Sequence, residues 1–149
     1  MSKTLLRIAF ADDDQDDHLL FYKAVKSFYL SPVIDCFFTS DSLLNFYTKR
    51  GNPAPHIIFL DKNMPGNYNY ECLARMKNNE ALMSVPIIIY STSSHPADVG
   101  KARQLGATDF ITKPVKFSDT IGCLRNAIDN FVPHNIVSRS YIDQPQNQY

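Results

Sequence analysis

Ile57-Ile58-Phe59-Leu60-Asp61 is a run of four large apolar residues that stops on a carboxylate. Successive side chains of a strand point to opposite faces, so an unbroken apolar run fits a strand that is covered on both sides. Pro86 opens a second run of this kind, Ile87-Ile88-Ile89-Tyr90, followed by Ser91-Thr92-Ser93-Ser94. Working outward, Leu5 to Ala11 reads as a strand ending in Asp12-Asp13-Asp14. Val33 to Phe38 reads as another, and Thr108 to Thr112 as one that runs into Lys113-Pro114.

Helical spacings fill the gaps. Gln15 to Tyr29 carries Leu19, Leu20, Val25 and Phe28 at helical intervals and is ended by Ser31-Pro32. Ser40 or Asp41 caps a helix through about Lys49, and Gly51-Asn52-Pro53 breaks the chain. Met64-Pro65-Gly66 reads as loop, with helices over Tyr70 to Asn78, Ala97 to Leu105 and Phe117 to about Phe131. Gly106 is placed as a left-handed cap. Five strands alternating with five helices demand parallel strands joined by helical crossovers. The expected fold is α/β, a doubly wound five-stranded parallel sheet with helices on both faces. Ligands bind such a sheet at the carboxyl ends of its strands, near the reversal of strand order. The site is therefore expected just after Ala11, Leu60, Tyr90 and Ile111.

The chain has 149 residues and a mass of 17.0 kDa, enough for one domain with its own core. We expect that domain over residues 1–132, with 133–149 a polar extension or tail and no output domain. Lys plus Arg and Asp plus Glu stand at 15 each, which argues against a nucleic-acid binder working by bulk positive charge. The balance hides a bias: only Glu71 and Glu80 are Glu, and five Asp crowd between Asp12 and Asp17. Asp is the poorer helix former and the better cap or short-reach ligand. Cys36, Cys72 and Cys123 form no CxxC pair and are expected to be buried, reduced thiols. No apolar run is long enough to span a membrane, and Arg7 interrupts the only N-terminal one, so no signal peptide is expected and the cytoplasm is the expected location.

Carboxylates brought to one sheet edge repel unless a cation sits among them. Asp12, Asp13 and Asp61 meet in the inferred topology, and hard oxygen ligands of this type suit Mg²⁺ or Ca²⁺. Asp14, Asp16 and Asp17 are read as charging the first helix N-terminus. Ser91 offers a hydroxyl and Lys113 an ammonium. A carboxylate, a cation site, a hydroxyl and a lysine are the equipment for phosphoryl transfer onto an aspartate.

Four segments in order resemble the receiver domain of two-component response regulators. They are Ile8-Ala9-Phe10-Ala11-Asp12-Asp13-Asp14, Ile57 to Gly66, Val85 to Ser91, and Gly106-Ala107-Thr108-Asp109-Phe110-Ile111-Thr112-Lys113-Pro114. The resemblance covers about Leu5 to Phe131. It implies a flavodoxin-like (βα)5 fold and a stand-alone switch that takes a phosphoryl group on Asp61 from a histidine kinase or phosphotransfer protein. It implies Mg²⁺ held by Asp12, Asp13, Asp61 and the backbone carbonyl of Asn63. Ser91 and Thr92 would face the phosphoryl group, and Lys113 would contact Asp61 at rest and the phosphoryl group afterwards. Phe110 matches the switch aromatic, and the Lys113–Pro114 bond is expected to be cis. The output would pass to a downstream protein of unknown identity, with a homodimer as one option and neither nucleic acid nor membrane as partner. The Asp12-to-His18 stretch is similar to a subgroup of stand-alone receivers that includes those paired with bacterial phytochromes.

The chain departs from the pattern in places. Ser91 stands where Thr is commoner, Ala11 where a larger apolar residue is usual, and Phe110 lacks a hydroxyl. A phosphatase of the haloacid-dehalogenase type also uses Mg²⁺ and an aspartate after a strand, but needs a second Asp where Asn63 stands. A phosphate-independent adaptor is disfavoured by the intact set of Asp12, Asp13, Asp61, Ser91 and Lys113. His18, His56 and His95 are expected on the solvent side. Tyr22, Phe28, Phe46 and Phe131 are expected in the core or at an interface.

Overall fold

The computed structural model describes residues 5–64, 70–93 and 95–140. The elements run β1 (Arg7–Ala11), α1 (Gln15–Lys26), β2 (Val33–Phe37), α2 (Ser40–Thr48), β3 (Ile57–Leu60), α3 (Glu71–Lys77), β4 (Ile87–Ser91), α4 (Pro96–Gln104), β5 (Asp109–Thr112), α5 (Phe117–Phe131) and α6 (His134–Ser140). The strands form one sheet in the order β2-β1-β3-β4-β5, with every neighbouring pair parallel. This is the flavodoxin-like order, whose switch point lies between β1 and β3.

Alternation along the strands builds two cores. Ala9, Ala11, Ile58, Leu60, Ile87 and Ile89 face one side and pack with Leu43, Tyr47, Leu73, Met76 and Ala102 of α2, α3 and α4. Ile8, Phe10, Ile57, Phe59, Ile88 and Tyr90 face the other and pack with Phe21, Val25, Leu124 and Ile128 of α1 and α5. The four-residue apolar run of β3 is wholly buried because each half of it feeds a different core. Gly106 follows α4 with φ +110°, and a Cβ there would lie 2.9 Å from Lys77 Cγ, so both backbone and space require glycine.

The structure differs from the sequence reading at several edges. α1 stops at Lys26, where Ser27 caps it, and not at Tyr29. The helical pattern does not die at Pro133. Proline is suited to a helix start, and the Pro133 carbonyl accepts from the N–H groups of Ile136 and Val137 at 3.0 and 3.2 Å. The short α6 that results sets Val137, 1% exposed, into the α1–α5 core beside Val132. Too few apolar residues mark this helix for a period to show in sequence. Among the described residues no peptide bond is cis, so the Lys113–Pro114 bond is trans. The ordinary trans preference of about 0.5–1 kcal/mol is not overridden there. Cys36 is exposed, because it lies on edge strand β2, where fewer elements cover it. Pro65 and Gly66, where a loop is expected, Ser94, and residues 141–149 lie outside the described residues.

Candidate functional site

Four strand ends, those of β1, β3, β4 and β5, converge on one pocket. β1 and β3 are adjacent and in register, Ala11 beside Leu60, so the residues that follow them must meet. The Asp61 N–H donates to the Ala11 carbonyl at 3.0 Å. Carboxylate oxygens of Asp12, Asp13 and Asp61 all lie within 4.8 Å of one another. Asp12 and Asp61 are buried and Asp13 is exposed, which makes a pocket open on one side. Clustered carboxylate oxygens of this kind fit a small hard cation that keeps part of its water.

Each carboxylate is held in place. Asp12 Oδ1 accepts from the Asp14 N–H at 2.9 Å, and Asp61 Oδ1 accepts from the Asn63 N–H at 3.2 Å. Burial pushes the Asp12 carboxyl up to about 6, against the opposing pull of the Lys113 ammonium and the Asp14 N–H. From the far side, β5 delivers Lys113. Its backbone N–H donates to the Ser91 carbonyl at 2.8 Å. Its Nζ lies 2.6 Å from Asp12 Oδ2, 2.8 Å from Asp17 Oδ2 and 3.7 Å from Asp61 Oδ2. Burial alone would depress this ammonium, but its bonds to Asp12 and Asp17 and the charge of Asp61 hold it above the ordinary lysine range. The Tyr90 ring centroid is 5.6 Å from Nζ, a further favourable contact for the cation.

Ser91 closes β4 fully buried, and its Oγ accepts from the Asn63 side-chain amide at 3.2 Å. Thr92 is exposed at the mouth. Phe110 is half-buried and packs against the α2–α3–α4 core. Beside Asp61, Lys62 Nζ pairs with Asp98 Oδ2 at 2.5 Å, joining the end of β3 to the first turn of α4.

The structure corrects the sequence reading at three residues, two beside the pocket and one, His56, at the opposite end of the sheet. Asp17 was assigned to helix charging, yet its carboxylate bonds to Lys113. His18, expected at the surface, bonds through Nε2–H to the Asp12 carbonyl at 2.6 Å and stacks on Phe38 with ring centroids 4.5 Å apart. His56, expected toward solvent, is half-buried and accepts the Arg7 N–H on Nδ1 at 3.0 Å. A period-based reading has no signal for these, since each depends on what lies across the fold. Asp14 does cap α1, accepting from the Asp16 N–H at 2.8 Å, and His95 caps α4 from an exposed position. Phe28, Phe46 and Phe131 pack half-buried against the two cores, whereas Tyr22 is exposed under Lys26.

A family model described as the response regulator receiver domain matches residues 9–125, which contain every strand end of the pocket. The chain belongs to the response regulator receiver family. As a receiver it is 34% identical over 90 residues to protein PilG of Pseudomonas aeruginosa, a match covering 60% of this chain and 67% of PilG. Matches to response regulators of rice and Arabidopsis cover only 27% to 46% of those proteins. Among solved structures, the receiver superposes on the Mn²⁺-bound response regulator Rcp1 with a TM-score of 0.73 at 22% identity, covering 86% of this chain and 95% of that one. It superposes on the phosphorylated cyanobacterial phytochrome response regulator RcpA with a TM-score of 0.77 at 20% identity, covering 86% and 94%. Receiver domains are phosphorylation-dependent signalling domains, not enzymes in the usual sense. No described helix is long and apolar enough to cross a membrane.

Proposed function

We propose that this receiver accepts a phosphoryl group on Asp61 from a histidine kinase or phosphotransfer protein and signals the change to a partner protein. The observation that carries the reading is the meeting of Asp12, Asp13 and Asp61 within 4.8 Å beside the buried Lys113 ammonium. An Asp61 carboxylate oxygen attacks phosphorus of a phosphohistidine. The O–P bond forms as the N–P bond breaks, the imidazole nitrogen keeps the electron pair, and Asp61 becomes an acyl phosphate. Asp12, Asp13, Asp61 and the Asn63 carbonyl are the ligands assigned to Mg²⁺, which when bound would offset charge on the phosphoryl oxygens. Asn63 orients Asp61 through its backbone N–H. Lys113 supplies a cation 3.7 Å from Asp61, and the Ser91 hydroxyl is the donor for a phosphoryl oxygen once one arrives.

The product carries roughly −2 charge and three acceptor oxygens where one carboxylate stood. Ser91 and Lys113 are drawn toward it, and the β4–β5 end with Phe110 is the two-state element they bias. The likeness to a Mn²⁺-bound and to a phosphorylated response regulator supports this reading.

The test is incubation with acetyl phosphate and Mg²⁺ followed by intact mass measurement. Wild type should gain one phosphoryl group and Asp61→Asn none. A wild type that stays unmodified, or an Asp61→Asn variant modified as fast, would overturn the reading.

A further inference from the structure

Asp17 lies outside the set of residues used above, yet it bonds to the same ammonium. Lys113 Nζ donates to Asp12 at 2.6 Å and to Asp17 at 2.8 Å, while Asp61 at 3.7 Å is beyond hydrogen-bond length. An ammonium has three donors, so two of them are directed away from Asp61. The Lys113 side chain is only 9% exposed, so these bonds are shielded from water. Asp17 is a stiff anchor because α1 begins rigidly: Asp14 caps it, and the neighbouring His18 bonds back to the Asp12 carbonyl. A cation bound by Asp12, Asp13 and Asp61 would engage Asp12, leaving Asp17 as the carboxylate that still holds Lys113.

We propose that Asp17 is a positioning residue that retains the Lys113 ammonium on α1 at rest and gives it up as charge builds on a phosphoryl group at Asp61. The proposal rests on the reading of Asp61 as acceptor. A half-exposed single carboxylate competes against a phosphoryl group of roughly twice its charge, so the lysine moves toward Asp61 and Asp17 sets how readily it does so. The same transfer breaks the Lys113–Asp17 ion pair between the end of β5 and the start of α1, while the Lys113 backbone N–H stays on the Ser91 carbonyl. Asp17 therefore opposes loading of Asp61 and connects the first turn of α1 to the state of the site.

The experiment follows loading from acetyl phosphate with Mg²⁺. Here the Asp61 O–P bond forms, the donor P–O bond breaks, and acetate leaves with the electron pair. Salt at about 0.5 M screens the long-range effect of removing one charge. Asp17→Asn should load roughly 5- to 10-fold faster than wild type, the scale expected for loss of one competing charge-assisted hydrogen bond. In a Lys113→Ala background the same substitution should change the rate by less than about twofold, because the partner is gone. Melting temperatures measured alongside separate this from damage to the fold, and Asp17→Ser repeats the test if the Asn variant is unstable. Wild-type loading with an unchanged Asp17→Asn rate overturns the Asp17 role alone. An acceleration that persists without Lys113 also overturns it. A wild type that never loads overturns the Asp61 reading and this proposal with it.

Discussion

The side-chain amide of Asn63 donates to the Ser91 hydroxyl across 3.2 Å, tying the end of β3 to the end of β4 directly beside Asp61. Ser91 is fully buried and accepts in this bond, so its own O–H remains the donor for a phosphoryl oxygen on Asp61. Ser91→Ala should still be phosphorylated by acetyl phosphate but should lose the conformational response. The check is the phosphorylation-dependent amide shift of Phe110 by NMR; a full shift in the variant would remove Ser91 from the coupling.

His18 ties α1 to the Asp12 carbonyl and to Phe38, so it supports the backbone that presents Asp12 and Asp13. His18→Ala should cost about 1–3 kcal/mol of stability, from one hydrogen bond and one ring stack. Mg²⁺ titration followed by tyrosine fluorescence should show affinity weakened by roughly tenfold, the effect usual for a residue behind the ligands. Asp13→Ala should weaken it further. Equal Mg²⁺ affinity for wild type and Asp13→Ala would contradict the ligand assignment.

His56 joins the starts of β1 and β3: its ring accepts the Arg7 N–H on Nδ1, and its backbone N–H donates to the Arg7 carbonyl at 2.8 Å. Burial, reinforced by the Arg7 cation, lowers its pKa below the ordinary 6.5. The folded chain thus holds the proton less readily than the unfolded one. The stability this group contributes is complete above about pH 6.5 and is lost as pH falls through the folded value. Urea midpoints should drop between about pH 7 and pH 5, and His56→Asn should flatten that part of the profile. A slope unchanged by the substitution would rule His56 out as the cause.

Removing everything after Phe131 takes away Val132 and Val137, buried at 4% and 1% exposure against the α1–α5 core. Two deeply buried valines are worth about 1.5–3 kcal/mol each. The truncated receiver should therefore melt cooperatively but at lower urea, by several kcal/mol at most. A midpoint equal to that of the full chain would mean that α6 contributes nothing to the fold.

The alternation of short apolar runs with helical spacings determined the sheet, its parallel sense and the edge on which chemistry gathers. That follows because the period of buried side chains is a local property of each element, and because parallel strands leave all their carboxyl ends on one side. It also brings Asp12, Asp13 and Asp61 to one edge, since each follows directly on a parallel strand. What the linear pattern could not carry was pairing across elements. That Lys113 bonds to Asp12 and Asp17 more closely than to Asp61, that His18 reaches back to the Asp12 carbonyl, and that Val137 enters the core are each set by distances between segments far apart in the chain. An ammonium takes whichever carboxylates packing brings within about 3 Å, and only the assembled fold decides which those are.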